Sequence, residues 1–115
     1  MTEFKIPQQR DEMDDALFAW EQSIEDLQQA QIAHMNTESM FKSWEASKKV
    51  AFIQFEKISA TLAESKIRGE EEWLTKSLQL NKLAVHLENK KRLCRLAEAR
   101  WETARSKQVT LRNVR

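Results

Sequence analysis

The stretch SKIRGEEEW, residues 65–73, decides the fold. Lys66 and Arg68 stand before Gly69, and three glutamates follow it. Bases favour the last turn of a helix, glycine often follows that turn, and acids favour the first turn of the next helix. The stretch therefore predicts a helical hairpin that turns at 67–70. We expect Gly69 to cap the first of the two helices with a positive φ, so that Gly69→Ala costs about 1 kcal/mol or more. The alternative is a glycine inside one long helix, at a cost of about 1 kcal/mol relative to alanine.

The composition on both sides of this turn is that of an all-α protein. The 115 residues include one Gly and one Pro, where average usage gives about 14 of the two together. Ala, Leu, Glu, Lys, Arg, Gln and Met make up 69 residues, and these are the strongest helix formers. Because β folds need Gly, Pro and Asn in their turns, most of them are excluded. We expect a single helical domain over 1–115.

Three series of residues at alternating steps of three and four predict the buried faces of these helices, with seams like those of a coiled coil. The first series is Met13, Leu17, Trp20, Ile24, Leu27, Gln31 and His34; the second is Phe41, Trp44, Lys48, Ala51, Phe55, Ile58, Leu62 and Ser65; the third is Leu80, Leu83, Leu87, Lys90, Cys94, Ala97, Trp101, Ala104, Gln108 and Leu111. The predicted segments are an extended lead-in over 1–9, helices over 10–35, 38–67 and 71–108, and a basic tail over 109–115.

The segment 35–39 leaves two architectures open. Asn36, Thr37 and Ser39 are residues that cap helices, and a break there gives an antiparallel three-helix bundle. A seven-residue series from Met13 to Leu62 nevertheless passes through the segment without a change of phase. That series favours one continuous helix of about 55–60 residues in an antiparallel two-helix hairpin.

Charge is distributed unevenly along the chain. Residues 1–39 hold nine acids and two bases, and residues 89–115 hold nine bases and two acids. The basic segment is a candidate contact for nucleic acid or for an acidic protein, although it could also be only a solvated face. The candidate contact residues are Lys90, Lys91, Arg92, Arg95, Arg100, Lys107 and Arg112. Most of these bases are expected on one face opposite the third series, and the seam is expected to end near residue 104.

Aromatic side chains are the second candidate for an interaction surface. Phe18 and Phe52 lie off the apolar series, and stranded aromatic residues are frequent anchors of protein interfaces. Trp20 and Leu27 lie on the first series and become exposed if the first helix extends beyond its partner. These four residues are our candidates for self-association.

The remaining motifs do not predict catalysis. His34, His86 and Cys94 lack the spacing of a metal site, and Cys94 lies on a seam where a small buried side chain is expected. We expect no enzyme activity, cofactor, small-molecule substrate, secretory signal or membrane span, and a cytoplasmic location. The sequence favours a helical interaction protein, such as an adaptor, chaperone-like protein or assembly factor, that self-associates. The alternative is a small nucleic-acid-binding accessory protein in recombination, replication or regulation.

Overall fold

The computed structural model describes the backbone of residues 8–114 and the side chains of residues 12–113. Within these residues the chain forms three helices and no strand: α1 at Gln8–Phe55, α2 at Ala60–Arg68 and α3 at Glu71–Val114. The predicted all-α fold is confirmed. Of the predicted lead-in, residues 1–7 lie outside the described part of the chain, and Gln8 and Gln9 already belong to α1.

The chain divides into two compact units. The terminal unit combines Met1–Gln29 with Glu88–Arg115, and the central unit is Ala30–Leu87. In each unit α1 and α3 pack antiparallel, since residues later in α1 contact residues that lie earlier in α3 or just before its start. The expectation of a single domain stays a prediction.

Helix α1 is continuous through 35–39, so the three-helix bundle with a break there is wrong. Asn36, Thr37 and Ser39 are all helical. Their helix propensities lie within about 0.7 kcal/mol of alanine, which is too little to break a helix that packs along its length. The face predicted by the seven-residue series also continues through the segment, since His34 before it and Phe41 after it are both half-buried.

The break in the first half of the chain lies at 56–59, inside the segment that was predicted as helix over 38–67. Helix α1 ends at Phe55, and Lys57 has a φ of 56°. Ser59 then caps α2, since its side-chain oxygen accepts a hydrogen bond from the Leu62 N–H at 3.2 Å. The second apolar series did not predict this break, because Phe55 and Leu62 continue its spacing on both sides of 56–59. Both are exposed in the structure.

Helix α2 has nine residues and buries Ala63 and Ile67 in the central unit. Two ion pairs, Lys49–Glu64 and Lys66–Glu56, both at 2.9 Å, join its exposed edges to α1 and to the 56–59 segment. The small helix is therefore held by a narrow apolar contact with charged contacts on its edges.

The predicted turn at Gly69 is confirmed. The Gly69 N–H donates to the carbonyls of Ser65 and Lys66, both at 3.2 Å, and α3 begins two residues later with Glu71. Gly69 has a φ of −83°, which any residue adopts. The expectation that this position needs the positive φ of glycine is therefore wrong.

The tail predicted over 109–115 is helical as far as Val114. Burial along α3 nevertheless falls at the end of the third series: Ala104 is buried, Gln108 is half-buried and Leu111 is exposed. The packed face thus extends one turn past the predicted limit at 104, and the helix continues beyond it because no breaking residue occurs before 115.

Candidate interaction surfaces

Two tryptophans in contact join α1 to α3 in the terminal unit. The rings of Trp20 and Trp101 lie 5.1 Å apart at 32°, and Ala16 and Ala104 are buried on the same helices. The Arg105 guanidinium lies 5.4 Å from the Trp101 ring centre. Trp20 therefore already packs against a residue of its own chain, and Leu27 is half-buried. Their contribution to self-association stays a prediction.

Small residues set the packing of α1 in the terminal unit, which the first apolar series did not predict. Ala16 is 4% exposed, whereas Leu17 and Ile24, which the series placed in the seam, are 37% and 38% exposed. With Ala16 on the inner face, Leu17 and Ile24 lie at the flank of the contact between the helices. A spacing of seven residues from Ala16 through Ser23 to Ala30 is the sequence signal that could have revealed this inner row.

Phe18 is exposed on the surface of this unit, as its position off the series predicted. Its side chain is 68% exposed. It borders an open groove of about 290 Å³ between α1 and α3. The groove is lined by Phe18, Ala19, Gln22, Ser23 and Asp26 from α1 and by Lys90 and Leu93 from α3. We call it the Phe18 groove.

Phe52, the other candidate aromatic anchor, already has an intramolecular partner in the central unit. It is half-buried, and the Lys66 ammonium lies 5.5 Å from its ring centre. The exposed aromatic of this unit is Phe55, at 82%. The second apolar series places Phe55 in the core and leaves Phe52 outside it, so the exposure of these two phenylalanines is the reverse of what the spacing predicted.

The other aromatic residues of the central unit form a cluster. Phe41 lies 6.2 Å from Trp44 and 6.1 Å from Trp73, measured between ring centres. The Trp73 indole N–H donates to the Glu45 carboxylate at 2.8 Å. This cluster joins α1 to α3 close to the turn and is a structural feature of the unit.

The basic candidates do not share one face. Arg92, Arg95, Arg100 and Arg112 are exposed, whereas Lys90 and Lys91 are half-buried. The Lys107 ammonium lies 3.1 Å from the Glu12 carboxylate, so it faces α1 instead of lying opposite the seam. The long side chain of Lys107 reaches the neighbouring helix although its Cα does not lie on the packed face of α3.

An acidic surface lies on the α1 part of the terminal unit. Residues 12–29 contain no base, and Asp14, Asp15, Glu21 and Glu25 are exposed. None of these four carboxylates is within ion-pair distance of a base among the described side chains. The terminal unit therefore carries acids on one helix and a set of exposed arginines on the other.

Exposed leucines accompany those arginines. Leu93 is 50% exposed and Leu96 is 56% exposed. They lie between Arg92 and Arg100 in the sequence. Neither belongs to the third apolar series, and this position off the series is the sequence signal of their exposure. The outer surface of α3 is thus both basic and apolar in this unit.

The residues considered for a metal or catalytic site differ in their exposure. Cys94 is a half-buried free thiol, His34 is half-buried and His86 is exposed. Residues 12–113 contain no cluster of three or more His, Cys, Asp or Glu that could hold a metal ion.

Along the described helices, no segment has the length and apolar character that a membrane crossing requires. Comparison of the chain with protein-family models, with curated proteins and with solved structures finds no match.

Proposed function

We propose that this chain is a non-enzymatic helical interaction protein, an adaptor or assembly factor of the cytoplasm, that self-associates through its terminal unit. One observation carries the proposal: exposed acids on α1 and exposed arginines on α3 belong to the same unit. Exposed apolar side chains lie on both surfaces, Phe18 on α1 and Leu93 and Leu96 on α3.

A second copy of the chain offers each surface its complement. Lys107–Glu12 is the one ion pair between α1 and α3 among the described side chains of the terminal unit. The other exposed acids, such as Glu21, therefore remain available to the arginines of another copy. Exposed ion pairs contribute about 0–1 kcal/mol each and weaken in salt. They orient the copies, and burial of the apolar side chains supplies most of the affinity.

A charge-swap experiment tests this pairing. The first variant carries Glu21→Lys with Glu25→Lys, which makes the α1 surface basic. The second carries Arg95→Glu with Arg100→Glu, which makes the α3 surface acidic. All four positions are exposed, so circular dichroism of each variant should match the parent protein.

We expect each variant alone to associate more weakly than the parent, because its two surfaces then carry charge of the same sign. Mixed in equal amounts, the variants should form a heterodimer that forms more readily in low salt. Light scattering coupled to size exclusion measures both results. A parent protein that is monomeric at tens of micromolar in low salt would refute the proposal, and so would variants that associate as the parent does and gain nothing on mixing.

Nucleic-acid binding is the second candidate, and the exposure of Arg92, Arg95, Arg100 and Arg112 favours it. A basic surface alone binds nucleic acid with dissociation constants of order 10⁻⁴–10⁻⁶ M. The test is a gel shift with single- and double-stranded DNA at two salt concentrations, using the parent and a variant with Arg92, Arg95 and Arg100 changed to Gln. Submicromolar binding that the triple variant loses would support this candidate, and the absence of a shift at both salts would remove it.

A further inference from the structure

We infer that the Phe18 groove is the place where a second copy of the chain docks, with Phe18 of each copy packed into the groove of the other. This inference rests on the proposed self-association and adds the site and its symmetry. The groove of about 290 Å³ and the exposed phenylalanine lie side by side on one surface of the terminal unit. A surface that contains both the anchoring side chain and the groove that receives it can pair with the same surface of a second copy around a two-fold axis.

Apolar burial is the main reason to expect this pairing. Phe18 is 68% exposed, and Leu93 on the opposite wall is 50% exposed. Complete burial of an aromatic side chain removes about 150–250 Å² from water, and about two thirds of this remains to be gained at Phe18. In a two-fold dimer this gain is made twice, and aromatic anchors that fill pockets dominate the binding energy of protein interfaces.

The charged residues of the groove favour a second copy over an unrelated apolar partner. Asp26 lies on the α1 wall and Lys90 on the α3 wall, and both are half-buried. Neither makes an ion pair with another described side chain. A purely apolar occupant would desolvate both charges without pairing them, which is costly. A second copy brings one lysine and one aspartate to the same contact and can pair both.

A matched pair of substitutions tests the anchor. Phe18→Ala removes the aromatic ring from the groove. Phe55→Ala removes the same ring from another highly exposed position of α1, in the central unit. We expect Phe18→Ala to raise the dimer dissociation constant by at least about tenfold, and Phe55→Ala to change it by less than about threefold. Sedimentation equilibrium measures the constants, and circular dichroism checks that both variants stay helical.

Disulfide trapping tests the geometry. In a Cys94→Ala background, one protein carries Gln22→Cys, one turn from Phe18 on the same wall of the groove, and a second carries Leu93→Cys. Both proteins keep Phe18, and a bond between the two positions can form only between chains. Mild oxidation of the mixture should give the mixed dimer in clear excess over a control mixture of Phe55→Cys with Leu93→Cys. Equal yields from the two mixtures would overturn the inference.

The outcomes separate the two proposals. A parent protein that dimerises, is insensitive to Phe18→Ala and gives no specific trapping would refute the Phe18 groove while leaving self-association standing. A parent protein that is monomeric would refute both.

Discussion

At the scale of single residues, Lys57 is the position with the clearest local strain. Its φ of 56° lies in the left-handed region, and no other non-glycine residue of the described backbone has a positive φ. That conformation costs an L-residue about 1–2 kcal/mol, whereas glycine adopts it freely. We expect Lys57→Gly to raise the free energy of unfolding by about 0.5–1 kcal/mol. Chemical denaturation measures this, and Lys57→Ala, which keeps the strain, is the control that should leave stability unchanged.

Gly69 is the opposite case, a glycine that the backbone does not require. A Cβ at this position would meet the Lys66 carbonyl oxygen at 3.5 Å and the Ser65 carbonyl oxygen at 3.7 Å, which are ordinary contacts. The sequence predicted a loss of about 1 kcal/mol or more on Gly69→Ala, on the assumption of a positive φ. The observed φ of −83° replaces that expectation with a change between zero and a gain of about 1 kcal/mol. Thermal melts distinguish the two expectations. A clear loss of stability in Gly69→Ala would contradict the observed backbone conformation.

The two tryptophans of α3, Trp73 and Trp101, differ in their hydrogen bonding. The Trp73 indole N–H donates to Glu45 at 2.8 Å, whereas the buried Trp101 indole N–H has no partner among the described atoms. Trp73→Phe removes a hydrogen bond to a carboxylate, which is worth about 1.5–3 kcal/mol, and Trp101→Phe removes an unpaired donor. We expect Trp73→Phe to destabilise the protein more than Trp101→Phe does. Urea denaturation compares them, and the reverse order would contradict the assigned contacts.

At the scale of the elements, sequence spacing predicted the helices better than their ends. The turn at Gly69 and most of the α3 face followed from local signals and from the third apolar series. The break at 56–59 did not, because the second series continues across it and Ser59 is a single cap residue. In α1, the large residues Leu17 and Ile24 suggested a core that the structure builds with Ala16 and Ala30.

The candidate surfaces were harder to predict for a related reason. Exposure of Phe18 followed from its position off the seam, but the covering of Phe52 by Lys66 depends on where α2 packs. The separation of Lys107 from the other bases depends on which flank of α3 faces Glu12. These properties are set by contacts between helices, which the spacing along one helix does not contain.

Helix α2 should respond to acid through Glu64. A hydrogen bond and the positive charge of Lys49 lower the pKa of Glu64, with a smaller contribution from Arg68. A lowered pKa means that the ionised carboxylate stabilises the folded state at neutral pH. This contribution is lost as the pH falls through the lowered pKa. NMR titration of the Glu64 carboxyl carbon should give a pKa below that of an unpaired glutamate, and Lys49→Gln should raise it; an unchanged pKa would contradict the ion pair.

At the scale of the whole molecule, the charge distribution is what the sequence predicted most directly about function. The acidic first part and basic last part of the chain become exposed surfaces on two helices of the terminal unit. Two helices in contact bury one stripe each, so side chains on their outer faces have no further layer to pack against within the pair. We propose that self-association supplies that layer, and this is the central claim about the molecule.

Sedimentation equilibrium of the unmodified protein tests this claim most directly. The protein is measured from about one to tens of micromolar, in about 50 mM and about 500 mM salt, over which the Debye length shortens severalfold. We predict dimers in low salt at tens of micromolar, with a dissociation constant that rises in high salt while association persists through the apolar contacts. A mass that stays that of one chain of 13.6 kDa at every concentration in low salt would contradict the account.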